Sequence, residues 1–348
     1  DHAEYSQYSA EPLTLNFHRT DHKDGSATYL REYLRKYLMA TRPERKDYAS
    51  WNYAQFVTDS ILWNTDPLYG WCNKNFKKDG SPYNVYSDGL KVFTTVDSRM
   101  QRYAEEAVYQ HVARYLQPAF SKEISSKPSS PYSDKLTPKQ IKAILNRSVT
   151  QCERYRQMKE AGCSAEEIHD TFRKKIPMTV FTYHGDIDTL MSPLDSIRYY
   201  KTFLRSGFMS MDPKTGAVKA YVGGLDYTHF MYDMVSLGRR QVGSTIKPFL
   251  YSLAMENGFS PCDKAPNRQQ TYMVAGRPWT PRNANHSRYG QMVPLSWGLA
   301  QSNNWISAYL MSKLNPSQFV QLLHDYGINN PDIHASLSLC LGPCEVSV

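Results

Sequence analysis

The sequence predicts a mixed α/β (α+β) protein, and three features point there. A strand over residues 91–96 leads into a helix over 97–116. A run of helix starts between residues 137 and 205 carries its own capping chemistry. A hairpin across 208–222 then precedes a helix that opens on Ser244-Thr245-Ile246-Lys247. With 348 residues, 41% of them hydrophobic, the chain can bury a substantial core and has room for about two domains.

These patterns divide the chain into four stretches: 1–88, 89–136, 137–205 and 206–348. The first alternates aromatic and polar residues, and 29–39 (Tyr-Leu-Arg-Glu-Tyr-Leu-Arg-Lys-Tyr-Leu-Met) reads as an amphipathic helix with a Tyr/Leu stripe facing a core. In the second, the strand and helix give way to a loop over 118–138, rich in Ser, Pro and Lys. Helices in the third announce themselves at Thr137-Pro138-Lys139-Gln140 and Ser164-Ala165-Glu166-Glu167, both capping boxes. A further start, Ser192-Pro193-Leu194-Asp195, leads into a helix over 197–204. In the fourth, Asp212-Pro213 begins the hairpin turn and Gly216 supplies its positive φ, so Lys214-Thr215-Gly216 is a turn triplet.

Composition removes several functions. The net charge of +8 is dispersed, its densest patch being Arg173-Lys174-Lys175, and no motif or basic stripe suits nucleic acid. Residues 1–8 are polar and do not read as a signal peptide. The longest uncharged run, 289–312, carries Gln291, Gln301, Asn303 and Asn304, so it reads as a core segment and not a membrane span. A start without methionine and an end in mid-pattern suggest cut ends. Six scattered cysteines without a C-x-x-C make a zinc site unexpected, and neither metal nor cofactor is called for. Cys340 and Cys344 are close enough in sequence to be bridged, though spacing alone does not establish the geometry. His18 and His22, at i and i+4 in a polar stretch, read as surface residues.

The chemistry concentrates in two short motifs. Residues i and i+3 of a helix face the same way, which puts Lys247 beside Ser244. A serine hydroxyl needs a neighbour to take its proton, and a lysine can do so when burial holds it partly neutral. S-x-x-K alone is a weak signal, but this lysine opens the apolar run Pro248-Phe249-Leu250-Tyr251-Ser252-Leu253-Ala254-Met255. Ser302-Asn303-Asn304 interrupts a largely apolar stretch, 293–311, where polar groups need partners. Its bland reading makes Ser302 the N-cap of a helix over 305–310, which is compatible with catalysis. A second S-x-N, Ser50-Trp51-Asn52, lies far upstream among aromatics and is set aside.

From about residue 207 the chain resembles the first half of the transpeptidase domain of a class A penicillin-binding protein. The likeness rests on the run Met209-Ser210-Met211-Asp212-Pro213-Lys214-Thr215-Gly216-Ala217-Val218-Lys219-Ala220-Tyr221-Val222-Gly223-Gly224. It continues through Arg240-Gln241-Val242-Gly243-Ser244-Thr245-Ile246-Lys247-Pro248-Phe249, Trp279-Thr280-Pro281-Arg282-Asn283 and Gly298-Leu299-Ala300-Gln301-Ser302-Asn303-Asn304. Upstream, Gly89-Leu90-Lys91-Val92-Phe93-Thr94-Thr95-Val96-Asp97 is similar to the strand and helix that precede this domain in the family. Val242 departs from the family, which usually has proline there. The family's third motif, Lys-Thr/Ser-Gly, should follow the S-x-N by more than a hundred residues and does not occur there before Val348.

The resemblance implies a serine transpeptidase/β-lactamase-like fold, an antiparallel sheet with a helical cluster, C-terminally incomplete. Residues 1–88 would be the linker after a glycosyltransferase domain, and 137–205 a helical insertion. The implied reaction is D,D-transpeptidation of peptidoglycan at the periplasmic face of the bacterial inner membrane, with a membrane anchor in the full-length protein. Ser244 would be the nucleophile, Lys247 the base, Ser302 the proton relay and Asn304 its orienting group. The partners would be stem peptides, a D-Ala-D-Ala donor and an amine acceptor, with β-lactams acylating Ser244. A periplasmic setting would allow Cys340 and Cys344 to pair. Without the third motif the 348 residues alone are expected to be inactive. The alternatives are a D,D-carboxypeptidase or β-lactamase-type hydrolase, and a non-catalytic cell-wall scaffold.

Overall fold

A computed structural model describes residues 23–348 except Pro331, together with His2, Glu4, Tyr5 and Ser9. His18 and His22 lie outside the described residues.

The amphipathic helix forms as Thr28–Leu38, and its stripe does face inward: Tyr29 and Leu38 are buried. Tyr29 is the anchor. Its hydroxyl donates to the carbonyls of Phe230 (2.7 Å) and Asp226 (3.0 Å), far along the chain. Its ring lies so close to Gly224 that a Cβ there would come within 2.7 Å of the phenol carbon Cζ. The following helices, Tyr53–Thr65 and Trp71–Lys74, contribute little core, with Cys72 the buried residue of the second.

Residues 91–96 form no strand, contrary to expectation. The edge of strand Val218–Val222 is met by separate groups and not by a strand. The Gln101 side chain accepts from Tyr221 N (2.7 Å) and donates to Tyr221 O (2.9 Å), as a neighbouring strand would. The Asp97 amide reaches Lys219 O (3.0 Å) and the Thr95 hydroxyl reaches Val218 O (2.8 Å). With the edge taken, Phe93 is left 91% exposed.

Asp97 caps helix Ser98–Tyr109, accepting from Arg99 N and Met100 N. This helix continues through a π-helical stretch, Gln110–Leu116, into Gln117–Ser125, so the expected loop begins later than residue 118. Pro118 lies where the π-helical stretch returns to α-helix.

Both capping boxes are present, opening helices Pro138–Gln151 and Ala165–Arg173. Glu153–Glu160 lies between them, and Ser192 caps Pro193–Tyr200, which ends before the expected 204. An unforeseen antiparallel hairpin, Ile176–Val180 with Ile187–Met191, interrupts the helices. An aromatic cluster joins this region to the segment around Phe230, with Phe181 meeting Phe203 at 5.3 Å and Phe230 at 5.1 Å between ring centroids.

The second hairpin forms as expected, Phe208–Met211 with Val218–Val222. Its turn is closed by Asp212, whose carboxylate accepts from Lys214 N (2.8 Å), and Gly216 adopts φ +72. Three more short strand pairs bring the two-stranded units among the described residues to five, each of them antiparallel.

The main core gathers helices Lys247–Glu256, Leu295–Ala300, Asn304–Met311 and Pro316–Asp325 with the 3₁₀ turn Leu337–Leu341. Leu250, Ala254, Ile306, Ala308, Leu310 and Phe319 are fully buried there. Among the described residues no helix is long and apolar enough to cross a membrane.

Candidate active site

Ser244 lies in the 3₁₀ turn Gly243–Ile246, and Lys247 begins the α-helix that continues it. The first turn of a helix leaves its N–H groups without intrahelical acceptors, so the Ser244 amide is placed to serve an external oxygen. Ser244 is exposed, whereas Lys247 is only 1% exposed.

Lys247 reaches across to the S-x-N segment. Its Nζ donates to Asn304 Oδ1 (2.7 Å), Ser302 O (2.6 Å) and Ser302 Oγ (3.1 Å). Burial depresses its pKa from the usual lysine range to about 8. The three acceptors favour the charged form, but desolvation is the stronger influence. At pH 7 a group with that pKa is neutral about a tenth of the time. Cys340 is the second influence; burial pushes its thiol up to about 12, so it stays neutral beside the amine.

Local folding explains how Ser302 presents two acceptors. Helix Leu295–Ala300 ends in a Schellman motif, with Ser302 N donating to Leu299 O (2.9 Å) and Asn303 N to Gly298 O (2.8 Å). Ser302 occupies the left-handed position of that motif, φ +49, which usually falls to glycine. A side chain there costs roughly 1–2 kcal/mol. The strain turns both its carbonyl and its hydroxyl toward Lys247, in keeping with a functional position.

Ser302 is therefore not the N-cap of the next helix. Asn303 is, its Oδ1 accepting from Trp305 N (2.9 Å) and Ile306 N (3.1 Å). Asn303 also donates to the fully buried Asn267 (2.9 Å).

The structure brings Lys247, Ser302 and Asn304 into direct contact. Ser244 stands one turn away, and among the described residues its hydroxyl makes no hydrogen bond. Lys214-Thr215-Gly216 stays at its exposed hairpin turn, and the upstream S-x-N forms a 3₁₀ turn, Ser50–Asn52.

A positioning group emerges that motif reading did not assign. Asn304 Nδ2 donates to Arg282 O (2.7 Å), Asn304 N to Asn283 Oδ1 (3.0 Å) and Trp305 Nε1 to Pro281 O (3.0 Å). Residues 281–283 thus fix the face of Asn304 opposite Lys247. The run Trp279–Asn283 was visible in the sequence, but its partner in space was not.

Cys340 and Cys344, close enough in sequence to be bridged, are both free in this structure. Cys340 is fully buried in its 3₁₀ turn, while Cys344 is half-buried beyond Gly342, whose φ of +62 turns the chain. Among the described residues no three His, Cys, Asp or Glu side chains cluster as a metal site.

A buried lysine is thus clamped to a serine and an asparagine, one turn from an exposed serine, an arrangement able to accept a proton from a hydroxyl. Two family models match the chain: "Penicillin-binding protein middle domain" over residues 127–204 and "Penicillin binding protein transpeptidase domain" over 206–337. The first of these takes in the capped helices and the hairpin between them. Penicillin-binding protein 1A of Neisseria flavescens is 28% identical over 302 residues, 78% of this chain and 36% of that protein. Penicillin-binding protein 1A of Pseudomonas aeruginosa is 28% identical over 145 residues, 41% of this chain and 18% of that protein. Penicillin-binding protein 1A of Haemophilus influenzae, a solved structure, matches with a TM-score of 0.49 at 18% identity, over 87% of this chain and 45% of that one. The chain belongs to the class A penicillin-binding proteins and carries a transpeptidase domain of their α/β type. It spans about a third of the length of the Neisseria relative.

Proposed function

We propose that the chain is the acyl-transfer part of a peptidoglycan D,D-transpeptidase working at the periplasmic face of a bacterial inner membrane. The single observation behind this reading is the buried Lys247, held by Ser302 and Asn304 one helical turn from Ser244.

Ser244 Oγ attacks the carbonyl between the two terminal D-alanines of a stem peptide, and neutral Lys247 takes its proton. The Ser244 amide donates one hydrogen bond to the oxyanion. Collapse of the tetrahedral intermediate releases D-alanine, whose amine receives a proton through Ser302. An amine of a second stem peptide then attacks the acyl-enzyme and forms the cross-link. A β-lactam presents a similar amide and leaves a stable ester on Ser244. The Lys-Thr/Ser-Gly wall implied by family resemblance would supply the second oxyanion donor. We propose that the 348 residues by themselves therefore acylate slowly, since loss of one such donor costs about 10²–10³ in rate.

Labelling of the full-length protein by a fluorescent penicillin tests the assignment. Ser244→Ala should abolish the covalent label with the fold retained. Lys247→Ala should slow acylation by roughly 10²–10⁴-fold. Asn304→Ala, which removes an orienting group, should slow it less. Stoichiometric labelling of the Ser244→Ala protein would place the nucleophile elsewhere.

A further inference from the structure

A short strap crosses the chain just before Ser244. It leaves the 3₁₀ turn Leu337–Leu341, bends at Gly342 and ends as strand Glu345–Val346, paired antiparallel with Arg240–Gln241. Two further backbone bonds carry the contact past the ladder: Val242 N donates to Cys344 O (2.9 Å) and Gly243 N to Gly342 O (3.0 Å). Residues 240–243 are thus tied to the strap one after another, and the next residue is Ser244. From the other side, Asn330 Nδ2 donates to Glu345 O (2.6 Å), so the strap is itself held.

The fit between strap and nucleophile turn is close. Gly243 and Gly342 both adopt positive φ, +55 and +62. A Cβ on Gly342 would overlap the Gly243 carbonyl oxygen and stand 2.6 Å from the Gly243 nitrogen. Either the strap would lift or Gly243 would move, and Ser244 would move with it.

We propose that residues 342–345 are a positioning strap for Ser244, with Gly342, packed against Gly243, and the Asn330–Glu345 hydrogen bond as its working parts. Ser244 is exposed and its hydroxyl makes no bond to the described residues, so its aim depends on its backbone. Lys247 is fixed separately by Ser302 and Asn304. The strap therefore sets the position of the nucleophile and of its oxyanion-binding amide without touching the base. A misplacement of about 1 Å at such a site can cost 10²-fold in rate.

The proposal rests on Ser244 being the nucleophile, and the test keeps the two ideas apart. Penicillin acylation of the full-length protein is followed for its rate constant and for the final fraction labelled. No label on Ser244 in the unsubstituted protein defeats the functional reading; the strap is judged on the variant-to-parent ratio. Asn330→Ala is the more selective variant. It deletes the Nδ2 bond to Glu345 O that holds the strap and leaves residues 240–244 as they are. It should slow acylation about tenfold, the worth of one well-placed hydrogen bond. The labelled fraction and the pH midpoint of the rate should stay unchanged. Gly342→Ala should slow it about 10²-fold. If Gly342→Ala does not fold, Asn330→Ala decides alone. Acylation of Asn330→Ala at the parental rate overturns the proposal. So does a reduced labelled fraction with the parental rate, because that pattern belongs to a role in stability only.

Discussion

The core around Lys247 and the capped helices of residues 138–200 are built on different terms. In the first, consecutive helices share one apolar cluster, and Leu250, Ile306, Leu310 and Phe319 have no exposed surface. In the second, the buried apolar residues are few, Leu145, Ile168, Phe172 and Val180 among them, and a cavity of about 810 Å³ lies open between the helices. The helices there instead begin with reciprocal side-chain caps at Thr137 and Ser164. Where burial is deep, tertiary packing overrides local preference: Lys247 is stripped of water. Where burial is shallow, local chemistry decides the structure.

The sharpest contrast should come from removing one leucine from each region. Leu310→Ala empties part of a sealed core and should cost roughly 2–5 kcal/mol. In the full-length protein it should lower the fraction that labels with penicillin, since the same core seats Lys247. Leu145→Ala faces the open cavity and should fall at or below the lower end of that range, with acylation kinetics unchanged. Chemical denaturation with parallel labelling checks both. Equal losses of stability and labelling would erase the distinction between the regions.

A smaller effect isolates the local chemistry. Ser164→Ala removes the cap that accepts from Glu167 N at 3.2 Å. It should cost about 1 kcal/mol, the typical worth of an N-cap. Acylation should keep its parental rate, and a slower rate would show that the capped helices communicate with the site.

The same contrast explains what could be read from the sequence. The capping boxes, the Asp212 turn and the helix Thr28–Leu38 depend on neighbours within a few residues, and their signals were complete. Lys247 and Asn304 were legible as polar residues in apolar surroundings. The strand expected at 91–96 did not form, and the Gln101 side chain just beyond it instead meets the edge at Tyr221, 120 residues further on. The alternative reading of Ser302 as a cap is set aside by the fold around it. A Schellman turn shifted the capping role to Asn303, and no local rule predicts a serine in the left-handed position. Arg282 and Asn283 stayed silent because their task is to hold Asn304 from another loop.

In the proposed mechanism a buried, partly neutral Lys247 is the base for Ser244, and the pH dependence of penicillin acylation tests that role most directly. Below about 8 the amine is mostly protonated and cannot accept the serine proton. The acylation rate constant of the full-length protein should therefore rise close to tenfold per pH unit and level off above about 8. Lys247→Ala should remove the rise. A rate that stays flat between about pH 6 and pH 9, or that breaks near the ordinary histidine value of about 6.5, would contradict the assignment of Lys247 as the base.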